Sequence, residues 1–558
     1  MNLANHQLSF GFDWIHRRLD FQVSTQQNPE FDFTGQITND PLLDLLLGTP
    51  TTFIQGNLTR VNSFQNYFGF YVNDKWRPNS RFTVTLGLRY EPFFPPYDTT
   101  GRATHFDLAA YVAGQLTTKF KNAPPGLFFP GDPGMPDAGT NSQLGNVAPR
   151  VGLAWDPQGN NQTVLRAAYG ILYDIPPMQF FDRFGFGPPW ASAITLTSPP
   201  GGFTNPYQGY PGGNPFPQPT PPPATAVFPA GGQYANLPLN IRLPYMQQWN
   251  LGVQRQVGQD WLLSANYLGN KSTHRWLTTQ QDYAVYIPGT CGNRPCSTIA
   301  NTSSRRLLTS LNPQAGSAFS SLSQVDDGAN ASYNALLLSA NHRLSKNFSV
   351  LLNYTWSHCI SDGDVQSEIT GGYQNPANRA ADRGNCVVDV RHIFNGSLVA
   401  LSPRFRNGML QKIFGDWELS TILTKRSGLW FTPFAGADNS LSGIGADRLN
   451  VVGDSHVASP SISRWFNTSA YVANAPGTFG NAGRNSLQGP GAFNMDAALI
   501  RKIRILEATN LQIRIETFNL LNHPTFANPR STITDSNFGR ILTANDPRIM
   551  QFALKYVF

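Results

Sequence analysis

Apolar and polar residues alternate with a period of two along much of the chain, the spacing that puts successive side chains on opposite faces of a β-strand. In RFTVTLGLRYEP (81–92), Phe82, Val84, Leu86, Leu88 and Tyr90 share one face, and Thr83, Thr85, Gly87, Arg89 and Glu91 share the other. The same alternation marks QNYFGFYVNDKW (65–76), WLLSANYLG (261–269), NFSVLLNYTW (347–356) and NLQIRIETFN (510–519). In VLRAAYGILY (164–173), Leu165, Ala167, Tyr169 and Ile171 oppose Arg166, Ala168 and Gly170. The second face is mostly small or polar.

The spacing of these strands is more informative than any one of them. They come in pairs joined by short turns, at 77–80, 157–161, 257–260, 344–347 and 503–509. Long loops separate the pairs, at 94–146, 174–243, 270–332, 358–388, 435–490 and 521–547; the 403–414 connection is intermediate. Repeated structureless loops of this length count against a compact soluble domain. Short turns at one end and long loops at the other predict an all-β fold, an antiparallel transmembrane β-barrel with periplasmic turns and extracellular loops. With 7–25 as a first long strand the chain holds about fourteen strands, and the last one, 548–558, then ends on the periplasmic side, as the parity of such barrels requires.

Composition fits that picture. Charged residues make up 13% of the 558, hydrophobic residues 40% and aromatic residues 12%. A lipid-facing sheet needs apolar residues only at alternate positions, while the other face can line a wet lumen. Trp76, Tyr90, Trp155, Tyr173, Trp249, Trp261, Trp356 and Trp417 lie next to turns or loops, where interfacial girdles form; the rival assignment is the core of a soluble β-sandwich. No stretch is long and apolar enough for a membrane-spanning helix. MNLANHQLSF lacks the basic and apolar regions of a secretory signal. The chain is therefore either cytosolic or a piece of a longer protein whose export signal lies upstream.

The net charge of +7 comes without any Lys/Arg run of five, so nucleic-acid binding is not expected. Cys291 and Cys296 sit in the loop CGNRPC, and Cys359 and Cys386 flank another irregular stretch, which fits two disulfides in an oxidising compartment. Three pairings are open; proximity favours 291–296 with 359–386, and four unpaired cysteines are the alternative. No nucleophile elbow, phosphate loop or His-Glu-x-x-His motif occurs, so no enzyme activity, catalytic residue, cofactor or metal is expected. Asp362, Asp364 and Glu368 in SDGDVQSE lack calcium-loop spacing and read as a solvated acidic loop. In DVRHIF, Arg391 and His392 fall on opposite faces, and the nine histidines show no ligand spacing. The Pro/Gly-rich segment 201–240 reads as an irregular, mobile surface loop with polyproline character, and ligand or partner binding there is the sharper alternative.

Several stretches together resemble the Oar-like branch of the TonB-dependent outer-membrane transporters. They are HQLSFGFDWIHRRLDF, FDFTGQITNDPLLDLLLGTP, NYFGFYVNDKWRPNSRFTVTLGLRYE, NVAPRVGLAWDPQGNNQTVLRAAYGILYD, NYTWSHCISDGD, ADRGNCVVDVRHIFNGSLV and GPGAFNMDAALIRKIRI with NLQIRIETFNLLNHPTF. The resemblance spans 1–558 as one barrel domain. It implies a barrel of about 22 strands around an N-terminal plug driven by TonB, of which the plug, TonB-contacting segment and signal peptide have no counterpart here. The expected function is therefore ligand capture and passage across the outer membrane by the C-terminal portion of such a barrel. TonB would be a partner only through a plug in the full-length protein. The alternatives are a self-contained passive pore and a secreted β-rich binding or adhesion protein.

The chain ends MQFALKYVF, with Met550, Phe552, Leu554, Tyr556 and Phe558 alternating against Gln551, Ala553 and Lys555. This resembles the terminal signal read by the barrel-insertion machinery, and it places Phe552, Leu554, Tyr556 and Phe558 against lipid. The expected localisation is the cell outer membrane, as a monomer in contact with outer-membrane lipid, with the transported ligand unidentified.

Overall fold

The computed structural model describes residues 2–3, 5–24, 26–35, 37–38, 40–185, 187–191, 193–345, 347–364, 372–445, 447–505 and 509–558. Its central element is an 18-stranded sheet. Four members are short: Asn2–Leu3, Tyr97–Asp98, Gly232–Asn236 and Gly384–Asn385. The long ones are β1 (His6–Ser24), β2 (Leu58–Asn79), β3 (Phe82–Tyr90), β4 (Val147–Trp155), β5 (Thr163–Tyr173), β6 (Tyr245–Val257) and β7 (Trp261–Gln280). They continue with β8 (Phe319–Ser345), β9 (Phe348–Ser361), β10 (His392–Leu401), β11 (Trp417–Arg426), β12 (Ala492–Arg504), β13 (Asn510–Phe518) and β14 (Ile549–Val557). Each pairs antiparallel with the next in sequence. The result is a meander, and among the described residues no pairing joins β14 to β1.

Register carries one set of alternating positions across the whole sheet. Phe12 pairs with Phe70 and Phe70 with Tyr90; Leu86 pairs with Val151, Leu251 with Tyr267, Leu338 with Tyr354, Leu419 with Leu499 and Ile515 with Phe552. A slip of one residue anywhere would move an entire strand's apolar set to the other face. This face is apolar yet uncovered: Phe12, Phe70, Leu86, Val151, Leu251, Leu338 and Phe552 are all exposed. An apolar surface of that extent marks a membrane or protein contact rather than a water-facing wall.

The turns that join the pairs are built from local polar chemistry. Between β4 and β5 the Asp156 carboxylate accepts from the amides of Gly159 (2.9 Å) and Asn161 (2.7 Å), and Asn161 takes φ 60°. Gly258 (φ 63°) turns β6 into β7 and Asn347 (φ 69°) turns β8 into β9, residue types that tolerate the left-handed region. The connection between β10 and β11 differs, because it holds the helix Gly408–Phe414.

At the opposite end the long connections are folded, which corrects the expectation of irregular loops. Phe93, Phe180, Phe181, Phe184, Leu237, Ile241 and Trp276 form one buried cluster. Phe106, Tyr111, Leu127, Phe129, Trp190, Tyr234 and Leu322 form another. Between β11 and β12, Phe431, Leu449, Phe466, Tyr471 and Leu487 make a third. The Pro/Gly-rich segment is anchored too. Gly232–Asn236 pairs in parallel with Phe319–Gln324, Tyr207 and Tyr234 are buried, and Tyr207 donates to Gln55 Oε1 at 2.9 Å. Aromatic residues interspersed among the Pro and Gly supply the apolar area that a mobile loop would lack.

β7 and β8 run well into what reads as loop. β8 is 27 residues long, about 90 Å at ~3.4 Å per residue. A tilted membrane strand needs only ~9–11 residues. Their far ends therefore stand clear of any bilayer and are buried by the loop clusters instead: Trp276 and Val325 are both fully buried. No helix among the described residues is long and apolar enough to cross a membrane, which says nothing of strands.

Candidate functional site

The inner face of the sheet is polar and mutually paired. Arg89 of β3 donates through Nε to Glu91 Oε1 (2.7 Å) and through Nη2 to the Tyr67 hydroxyl (2.6 Å) and Asp13 Oδ2 (2.9 Å). Tyr67 in turn donates to Glu91 Oε1 at 2.5 Å. These side chains come from β1, β2 and β3 and its end, and glycine makes room for them. A Cβ on Gly69 would collide with the Arg89 guanidinium, and one on Gly11 would sit 2.7 Å from the Tyr71 hydroxyl. Arg166 reaches Gln254 Oε1 on the same inner face (2.8 Å).

Two of the cavities among the folded loops above the wall share Tyr373. The larger, of about 590 Å³, is lined by Asn240, Gln281, Asp326, Asp327, Tyr373 and Arg379 among others. Its acids are already partnered: Arg379 bonds Asp326 at 2.6 Å, the Tyr373 hydroxyl donates to Asp326 at 3.0 Å, and Arg242 bonds Asp327 at 3.0 Å. The smaller, of about 250 Å³, shares Tyr373 and adds Thr278, Gln280, Asp282, Tyr283 and Arg306. Here Asp282 is fully buried. Its Oδ1 accepts from the Leu308 amide (2.9 Å) and its carbonyl from Arg306 (2.6 Å). Asp282 Oδ2, Arg306 Nε and Gln280 Oε1 have no hydrogen-bond partner among the described residues. Burial raises the pKa of the Asp282 carboxyl, against the Leu308 amide and the Arg306 charge, and the same burial lowers that of Arg306. Three orphaned polar atoms around one cavity offer both donors and acceptors to a polar ligand.

Other sequence-predicted residues fall into structural roles. Asp362 and Asp364 are held by ion pairs and amides, which corrects the solvated-loop reading: Asp362 bonds Arg383 (3.1 Å) and the Asn330 amide (2.7 Å). Asp364 bonds Arg484, Asn485 (2.7 Å) and the Val387 amide (2.7 Å). Glu368 lies outside the described residues. Cationic partners for these acids stand far off in sequence, so local patterning could not reveal them. Arg391 bonds Asp389 (3.4 Å), while His392 Nδ1 meets the Tyr354 hydroxyl (2.8 Å). Among the described residues no group of three His, Cys, Asp or Glu is placed to hold a metal. Cys291 is bonded to Cys296 and Cys359 to Cys386, with Cα–Cα distances of 4.8 and 5.4 Å. The second bridge ties the loop end of β9 to the segment preceding β10.

In β14, Phe552 pairs with Ile515, Leu554 with Ile513 and Tyr556 with Leu511. Phe552, Leu554, Tyr556 and Phe558 are all exposed on the apolar face, and Phe558 is 90% exposed. Gln280, Asp282, Arg306 and Tyr373 are the site residues that sequence reading did not single out. The signal was present in part: Trp276, Thr278, Gln280 and Asp282 continue the period of two past the presumed end of the strand.

An antiparallel meander with an apolar outward face, a polar inward face, short turns at one end and folded loops at the other is the wall of a transmembrane β-barrel. The sequence matches the family model described as outer membrane beta barrel domain over residues 1–551, and the chain belongs to that family and to the outer membrane. Solved structures with a similar fold include the outer membrane transporter YddB from Escherichia coli (TM-score 0.50, 11% identity, covering 100% of this chain and 52% of that one). Another is a mutant of the ferric enterobactin receptor PfeA from Pseudomonas aeruginosa (TM-score 0.45, 12% identity, 99% and 51%). A third is the ferric yersiniabactin uptake receptor FyuA from Yersinia pestis (TM-score 0.39, 9% identity, 100% and 52%). The chain thus spans about half the length of these transporters. No curated protein matches the sequence.

Proposed function

We propose that this chain is the C-terminal wall of a TonB-dependent transporter of the Oar-like type, whose remaining strands and plug are supplied by sequence preceding it. In this reading the folded outer loops capture a polar ligand, the inner wall conducts it, and no catalytic step is involved. The observation that carries the reading is the open meander. Among the described residues the β1 edge beyond its short pairing with Asn2–Leu3, and the whole outer edge of β14, have no strand beside them, and a membrane sheet does not tolerate unpaired edges in lipid. Spanning 52% of a solved transporter with the same architecture supplies the scale of what would complete it. A self-contained passive pore needs β1 and β14 joined, and that pairing is missing among the described residues. A secreted soluble protein does not fit an exposed apolar face in a member of an outer-membrane family.

The reading is tested by the mass of the polypeptide that carries this sequence in native outer membranes, detected with an antibody to a loop peptide. A band roughly twice the 61.5 kDa of this chain is expected. A heat-modifiable band at the mass of the chain alone would replace the reading with the passive pore.

A further inference from the structure

The connection between β10 and β11 lies at the turn end of the wall, where the neighbouring turns are short and polar. It instead carries the helix Gly408–Phe414, capped by Asn407, whose side-chain oxygen accepts from the amides of Met409 (2.9 Å) and Leu410 (3.3 Å). At helical spacing Met409, Leu410, Ile413 and Phe414 fall on one arc. All four are exposed, Met409 by 72% and Phe414 by 55%. Gln411 faces back into the connection, accepting from the Phe405 amide at 2.8 Å. Four bare apolar residues on a seven-residue helix would be a liability in water.

The side of the wall on which the helix sits is fixed by its contacts. Trp417 Nε1 donates to the Ile413 carbonyl at 2.9 Å, the Arg501 guanidinium lies 5.3 Å from the centre of the Trp417 ring, and Arg501 also donates to the Lys412 carbonyl. Trp417 pairs with Arg501 in the same register set as Leu419 with Leu499, which is the outward, apolar face. The helix is therefore continuous with the lipid-facing surface at its turn-end rim. Exposed Arg404 and Arg406 precede it, and exposed Lys412 lies on it.

We propose that the helix Gly408–Phe414 is an interfacial anchor: its Met409–Leu410–Ile413–Phe414 face lies in the headgroup–acyl boundary of the periplasmic phospholipid leaflet, with Arg404, Arg406 and Lys412 on anionic headgroups. An amphipathic helix with cations beside its apolar face binds a bilayer surface by this combination, and a Trp with an Arg beside it is the pairing expected at the rim of the hydrocarbon. Fixing this one connection to the leaflet would set the depth of the β10–β11 hairpin, which a four-residue polar turn cannot do.

The test uses the full-length protein that carries this chain, reconstituted in phosphatidylethanolamine/phosphatidylglycerol bilayers. Single nitroxide labels are placed by Ile413→Cys, Met409→Cys or Lys412→Cys, with Leu86→Cys as a wall control. Oxygen and a water-soluble nickel chelate then compete for access to each label. The expected result is oxygen-dominated access at 413 and 409, chelate-dominated access at 412, and a wall label at 86 that behaves like 413. Chelate-dominated access at 413 and 409 with an oxygen-dominated label at 86 overturns the anchor and leaves the wall intact. Shielding of 413 and 409 from both reagents overturns it as well, because the face would then be covered by protein. Chelate access at 86 would overturn the membrane wall and the anchor together. Two labelled sites on the same face keep the outcome decisive if either variant fails to assemble.

Discussion

At Gly69 and Arg89 the inner wall shows how a sheet of modest hydrophobicity can line a wet lumen. The glycine has no Cβ, the arginine folds across it, and three oxygens from Asp13, Tyr67 and Glu91 receive the guanidinium. Such charge-assisted contacts are the strong ones, and they hold a long side chain against the inner face of the wall. Among the loops the balance runs the other way at Asp182, which is buried and accepts from the Ser63 hydroxyl at 2.7 Å. Burial lifts its carboxyl from 3.8 to about 6, against that hydroxyl and the charge of Arg102. Between those values the native state holds a proton that the unfolded chain has released, so stability falls as pH rises from about 4 to about 6. The effect amounts to about 1–2 kcal/mol after allowance for the solvent that still reaches the group. Amide exchange in 178–184, corrected for its intrinsic pH dependence, is expected to be slower at pH 5 than at pH 7 in the native chain and to lose that difference in Asp182→Asn. An unchanged pH difference in the variant would assign it to another group. Arg89 and Glu91 were legible as polar-face residues from the alternation alone. The grouping of Asp282 with Arg306 and Tyr373 was not, because the folding of separate loops against one another brings them together and no local period records it.

Elements divide along the same line. The paired strands and short turns follow from a period of two and from Gly, Asn and Asp at the turns, and these are local signals. The far halves of β7 and β8 were hidden because KSTHRWLTTQ is weakly alternating and becomes strand only when the loop clusters bury it, a tertiary override of propensity. Loop folding is likewise held by distant pairs. Arg448 bonds Asp382 at 2.6 Å with both side chains buried, donates to the Ala381 carbonyl (2.9 Å), and through its amide meets Gln374 (2.7 Å). Asp382→Ala is expected to cost the loop unit roughly 3–5 kcal/mol, since it leaves a buried cation unpaired. Limited proteolysis within 372–385 and 435–490 should accelerate accordingly while the strands stay protected, and unchanged cleavage would contradict the assignment. At the other end of the chain, β14 holds an exposed apolar row closed by Phe558. Phe558→Asp is expected to lower the amount of assembled, heat-modifiable protein in the outer membrane without altering synthesis, and equal assembly would argue against a terminal insertion signal.

For the molecule as a whole, one register set stays on one face from β1 to β14, and this continuity joins the sequence pattern to the membrane. Fold class and localisation were legible because lipid imposes the same alternation on every strand. The unpaired edges were not, since parity counts strands but does not say which of them meet. Membership of an outer-membrane barrel family over residues 1–551 agrees with a lipid-facing wall, and among the described residues the meander stays open between β14 and β1. The most direct test of the lipid-facing wall is a one-residue-at-a-time cysteine scan of β3, Phe82 to Tyr90, in the full-length protein in intact outer membranes, using a water-soluble maleimide that disulfide-bonded cysteines do not consume. The structure predicts labelling at 83, 85, 87 and 89 and protection at 82, 84, 86 and 88. Equal labelling at all positions, or protection of the odd set, would contradict it.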